Sequence, residues 1–131
     1  MSKYVYTALL TPAEEGGYLV SFPALDGCIT DGDDLSEALA NAEDALSLML
    51  CTLEDENKPA PLTGVTPDAP APVGGFVSLV NCDTMEYRRL YQSRAVKKTL
   101  TIPAWLNTAA ERRGINFSQV LQEALIARLE S

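Results

Sequence analysis

The chain has no histidine among its 131 residues. That removes every mechanism in which an imidazole serves a Ser or Cys nucleophile as its base or ligates a metal. Cysteine is scarce: Cys28, Cys51 and Cys82 lie 23 and 31 residues apart, without the close pairs of a zinc site. An odd number also makes a poor disulfide framework, so they read as three reduced thiols in or near a core. Long apolar runs are missing as well. None approaches the roughly 18 residues of a membrane span, and the start MSKYVYT lacks the architecture of a signal peptide. The expected compartment is the cytoplasm, with no membrane association.

Positive charge is nearly absent from one part of the chain. Residues 1–80 hold two basic residues, Lys3 and Lys58, against 13 acidic ones, a net of −11, whereas residues 81–131 hold eight against five, a net of +3. Within 88–113 the ratio is seven basic residues to one acidic. The overall −8 argues against a protein that coats nucleic acid. The asymmetry points instead to an acidic module and a basic module, each meeting a partner of opposite sign. With 47% apolar residues, a chain of this length can bury one core and carry a small appendage.

The order of elements follows from the apolar pattern. Tyr4 to Leu10 is rich in strand formers and is closed by Thr11-Pro12, and Glu14-Glu15-Gly16-Gly17 supplies a turn. Tyr18 to Phe22 reads as the returning strand, stopped by Pro23, and Asp26 to Gly32 as a turn, a short third strand and another turn. From Asp34 the spacing changes to threes and fours through Leu35, Ala38, Leu39, Ala42, Ala45, Leu46, Met49, Leu50 and Leu53, which predicts a helix of about five turns. Asp34 suits its N-cap, with Glu37 reaching back. Residues 57–75 hold five of the eight prolines and read as an extended excursion or linker. Phe76 to Val80 resumes as a strand. The acidic module is then β-β-β-α-β and ends near residue 83. Asp26, Asp31, Asp33 and Asp34 are each explained by turn and cap positions, so no metal and no cofactor is expected.

Residues 84–95 read as a connector with helical spacing at Tyr87, Leu90 and Tyr91. The segment from Val96 to Ile102 alternates, with Leu100 and Ile102 on one face and Lys97, Thr99 and Thr101 on the other. Pro103 opens a helix that Arg112-Arg113-Gly114 ends, and Asn116 or Ser118 can cap a last helix bearing Val120, Leu121, Ala124, Leu125 and Leu129. Residues 96–131 thus form a strand-helix-helix unit too small to stand alone without a staple, so it is expected to dimerise. Two such strands paired antiparallel make a ribbon that fits the major groove of DNA, with Lys and Thr toward base edges and a helix N-terminus toward phosphate.

Residues 97–129, KKTLTIPAWLNTAAERRGINFSQVLQEALIARL, closely resemble the ribbon-helix-helix DNA-binding domains of bacterial repressors and antitoxins. Residues 6–46, YTALLTPAEEGGYLVSFPALDGCITDGDDLSEALANAEDAL, resemble the HicB-type antitoxin domain in the Gly-Gly-Tyr turn, the Phe-Pro-x-Leu-x-Gly-Cys segment and the Asp-Leu-x-Glu-Ala-Leu helix start. The double resemblance implies an α+β protein with two domains. Residues 1–83 would be a partial ribonuclease H-like, toxin-binding domain without a nuclease's carboxylates, 84–95 a connector, and 96–131 the ribbon-helix-helix domain. It implies no enzymatic activity, and a partner of the HicA type, a small basic mRNA-cleaving ribonuclease with an essential histidine, whose active site is blocked. It also implies repression of the chain's own operon through operator DNA. Lys97, Thr99, Thr101, Asn116 and Ser118 are then the DNA-binding candidates, and Tyr18, Phe22 and Asp31 the toxin-binding ones. Homodimers are expected through residues 97–131, and pairing of N-terminal domains would raise them to tetramers. Two alternatives stand beside this reading: a stand-alone ribbon-helix-helix repressor whose N-terminal domain senses a small molecule, and, weakest, a nuclease with a degenerate ribonuclease H-like site.

Overall fold

A computed structural model of the protein describes residues 2–58 and 60–130. Pro59, within the expected excursion, and the terminal Met1 and Ser131 of the two expected domains lie outside the described residues. The elements are β1 (Lys3–Pro12), β2 (Tyr18–Ser21), β3 (Ile29–Gly32), α1 (Leu35–Asp55), β4 (Thr63–Gly64), β5 (Phe76–Asp83), α2 (Thr84–Tyr91), α3 (Ala104–Arg112) and α4 (Phe117–Glu130). They divide into two compact units, one ending at Ser93 and the other beginning at Arg94.

In the first unit β1 is the central strand. Along one edge Lys3 to Leu10 pairs antiparallel with Asp83 to Phe76 of β5. The other edge is shared: Leu9 to Pro12 pairs antiparallel with β2, which in turn carries β3, while Val5 and Tyr6 pair parallel with β4. Alternation then decides what is buried. Tyr4, Tyr6, Ala8 and Leu10 of β1, Val20 of β2, and Val80 and Cys82 of β5 form the core with Ala38, Ala42, Leu46 and Leu50 of α1. Each fully covered large side chain, such as Leu46 or Leu50, contributes about 2 kcal/mol. Cys28, Cys51 and Cys82 are free and buried, and burial pushes the Cys82 thiol up to about 11.

Helix α1 begins as its sequence dictates: the Glu37 amide donates to Asp34 Oδ1 at 2.8 Å. It ends at Asn57, held at φ +56°, where the amides of Asn57 and Lys58 return to the carbonyls of Glu54 and Leu53. This is the Schellman arrangement, with Asn in place of the usual Gly.

One stretch of the first unit differs from expectation. The proline-rich excursion does enter the sheet, as β4. The Val5 amide donates to the Leu62 carbonyl at 3.0 Å, the Tyr6 hydroxyl to the Pro61 carbonyl at 2.6 Å, and the Thr66 amide to Thr7 Oγ1 at 2.8 Å. Proline restricts only its own amide, so a two-residue rung forms at Thr63-Gly64, where no proline stands. Gly64 is required there because a Cβ would run into the Tyr6 ring. The stretch 84–95, read as a connector, is helical over its first eight residues. Asp83 accepts from the amides of Met85 and Glu86 and so caps α2.

The second unit holds α3 and α4, and neither helix has a buried residue. Gly114, at φ +66°, turns the chain between them, with Gly114 and Ile115 amides donating to Glu111 and Ala110 carbonyls. Asn116 caps α4, its Oδ1 accepting from the Gln119 amide at 3.0 Å. Residues 94–103 have no regular structure; the alternating segment 96–102, expected as a strand, has no ladder because a lone strand has nothing to pair with.

Candidate functional site

One face of the sheet carries α1; the opposite face belongs to the residues of the other parity. Register places Val77, Leu9, Ser21 and Ile29 in one row across the strands, Leu79 beside Thr7, and Leu19 between Thr11 and Asp31. Leu19, Ile29 and Leu79 are 48%, 68% and 61% exposed. Thr7 alone in this set is fully buried, under its hydrogen bond from Thr66. At the β1–β2 turn this face runs into an open hollow lined by Glu14, Glu15, Leu19, Asp31 and Asp33.

The toxin-binding candidates divide on this geometry. Asp31 is exposed, with its carbonyl accepting from Asn41 Nδ2 at 2.8 Å. Tyr18 packs against the core on the helix side, its ring 5.7 Å from that of Phe76 and nearly perpendicular to it. Phe22 is only 3% exposed. Their parity in the strand turns both rings to the helix side; Phe22 is buried there, whereas Tyr18 is half-buried and also lines the hollow beside Glu14, Glu15 and Asp31. Leu19, Ile29, Val77 and Leu79 were not singled out from sequence; the available signal was that these strands carry apolar residues at both parities.

The DNA-binding candidates all lie in the second unit. Lys97, Thr99 and Thr101 are exposed in the irregular segment. Asn116 and Ser118 sit at the start of α4, where Ser118 Oγ accepts from Gln122 Nε2 at 3.2 Å. By unit, residues 1–93 hold four basic and 15 acidic residues, a net of −11, and residues 94–131 six and three, a net of +3. Arg88 is not a solvated surface arginine: its side chain is 13% exposed. It reaches Glu54 Oε1 at 3.1 Å and Asp55 Oδ1 at 3.1 Å, locking α2 to α1. Burial would raise the Glu54 carboxyl, but hydrogen bonds from Tyr4, Arg88 and Thr84 outweigh it and hold the group below its ordinary value.

Comparison with known proteins agrees with this architecture. A family described as "HicB_like antitoxin of bacterial toxin-antitoxin system" matches residues 6–125. The chain is 39% identical over 80 residues to Antitoxin HicB 1 of Photorhabdus laumondii, a stretch covering 58% of this chain and 52% of that one. It is 40% identical over 57 residues to Antitoxin HicB of Escherichia coli K12, covering 44% and 41%. The chain therefore spans about half the length of these curated relatives. Among solved structures it is similar to the toxin-antitoxin complex from Streptococcus pneumoniae, with a TM-score of 0.57 and 27% identity over 96% of this chain and 99% of that one. Fold and sequence together define an antitoxin, a class that is not an enzyme class. The chain belongs to the HicB-like antitoxin family. Among the described residues no helix is long and apolar enough to cross a membrane.

Proposed function

We propose that this chain binds and neutralises a small, basic HicA-type ribonuclease toxin and represses its own operon. The observation that carries this reading is the division into an acidic folded unit and a basic helical unit whose apolar side chains are uncovered. Trp105, Phe117, Val120, Leu125 and Leu129 are all exposed. A 38-residue unit of that kind gains a core only by pairing with a second copy. In the paired form, segments 96–102 of two chains make the antiparallel ribbon of a ribbon-helix-helix domain. Leu100 and Ile102 turn inward; Lys97, Thr99 and Thr101 face the bases, and the start of α4 at Asn116 and Ser118 meets a phosphate. Asn116 already spends its side-chain oxygen on the cap, so backbone amides of the first turn carry the phosphate contact.

The first unit, whose β-β-β-α-β-β-α order supports reading it as a partial ribonuclease H-like domain, is the toxin-binding part, and its net negative charge accelerates encounter with a cationic partner. Of the residues considered for that contact, Asp31 remains as the exposed one. Pairing of the first units would build tetramers from the dimers, and the cytoplasm, where toxin, mRNA and operator meet, is the site of action. The test is to tag the chain, recover it from its native cells and identify by mass spectrometry what accompanies it in near-equal amount. A small, basic, histidine-containing HicA-type protein is expected. Operator binding with no such companion would leave the stand-alone repressor.

A further inference from the structure

The reading above leaves open where on the acidic unit its partner sits. We infer that the sheet face opposite α1, covered at Thr7 by Thr66 but exposed at Leu19, Ile29, Val77 and Leu79, is the docking surface for a cationic protein, which on the proposed function is the HicA-type toxin. Helix α1 covers one face of the sheet only. The opposite face presents apolar side chains in adjacent rows of four strands, joined by the pairings Leu9 with Val77 and Ser21 with Ile29. Single exposed apolar residues are ordinary on a protein surface, whereas a contiguous set on one face marks an interaction site.

Charge selects the occupant. The apolar rows run at Leu19 into the hollow edged by Glu14, Glu15, Asp31 and Asp33. Two such faces brought together would set the carboxylates of Glu14, Glu15, Asp31 and Asp33 near those of the second copy, and like charges so placed at this face cost affinity. A partner whose own apolar patch is rimmed by Lys and Arg meets both features at once: the apolar rows supply the buried contact, and the carboxylates supply steering and register. Val77 and Leu79 also lie on β5, which among the described residues pairs only with β1, so the surface is open toward its edge.

The test uses the full chain and a catalytically inert form of the HicA-type protein recovered with it from its native cells. Leu79→Glu and Ile29→Glu are compared with wild type by isothermal titration, with circular dichroism and thermal melting to verify the fold. Both are expected to weaken toxin binding at least tenfold while the melting profile is retained. Hydroxyl-radical footprinting of the wild-type complex is the second arm, independent of any variant, and is expected to protect Leu19, Ile29 and Leu79. Undiminished binding by folded variants, or full labelling of these residues in the complex, overturns the inference and leaves the antitoxin reading intact. A variant that changes the oligomeric state but not toxin affinity also overturns it, since the face would then join copies of this chain. Failure of the wild-type chain to bind the toxin overturns the proposed function itself.

Discussion

Arg88 of α2 and Glu54 of α1 meet at 3.1 Å with side chains only 13% and 15% exposed. Glu54 also accepts from the Tyr4 hydroxyl at 2.8 Å and from Thr84 Oγ1 at 3.0 Å, so one carboxylate joins the first strand, the long helix and the helix that follows the sheet. Removing one member of such a covered pair leaves the other charge without its partner. Arg88→Ala is expected to destabilise the chain by about 2 to 3 kcal/mol, read from the urea midpoint. A loss under about 0.5 kcal/mol, the usual figure for an exposed pair, would show that the contact does not hold α2 in place.

The same carboxylate gives a pH dependence of definite sign. Its folded value lies below the ordinary 4.5, so its contribution is complete above that value and is lost as the pH falls through the lower, folded one. Between about pH 3 and pH 7, wild type is expected to lose more stability on acidification than Glu54→Gln does. Parallel curves would contradict this.

Two glycines separate a steric need from a backbone one. At Gly32 a Cβ would meet the backbone of Ala38 in the first turns of α1, where nothing can yield easily; at Gly114 there is open space but φ is +66°. Gly32→Ala is expected to cost about 3 kcal/mol and Gly114→Ala about 1. Thermal melting of the two variants checks the order, and equal shifts would count against it.

Much of this fold is legible in the sequence because local signals and burial coincide. The Thr11-Pro12 stop, the Gly16-Gly17 turn, the Asp34 cap and the three-and-four spacing from Leu35 to Leu53 each place an element within a residue or two. What escapes is long-range. Nothing near Arg88 announces a partner 34 positions earlier, and proline content hides the short rung at Thr63-Gly64. Tyr18 and Phe22 lie in the stretch that resembles the antitoxin domain, yet strand parity buries Phe22 and packs Tyr18 against the core. The exposure of Leu79 is a property of which face α1 covers, which spacing alone does not specify. The segment 96–102 shows the reverse case: its alternation is plain, but among the described residues no strand pairs with it.

For the second unit, Leu100→Glu is expected to place a charge in the inward row of the ribbon and shift sedimentation from dimer toward monomer, with operator binding lost in parallel. A dimer unaffected by this change would remove the ribbon from the account. On the outward row, Thr99→Ala is expected to relax operator sequence preference, and Lys97→Ala to lower the slope of log affinity against log salt by about 1. Filter binding over a salt series, on the operator and on scrambled DNA, reads both. Affinity and selectivity unchanged in the two variants would move the DNA face elsewhere.

The central claim is neutralisation, and the direct measurement is RNA cleavage by the HicA-type protein that accompanies the chain in its native cells, purified, as this chain is titrated in. The account predicts that cleavage falls linearly to zero at a fixed toxin-to-antitoxin ratio. Cleavage that persists undiminished at a molar excess of the folded chain would contradict it.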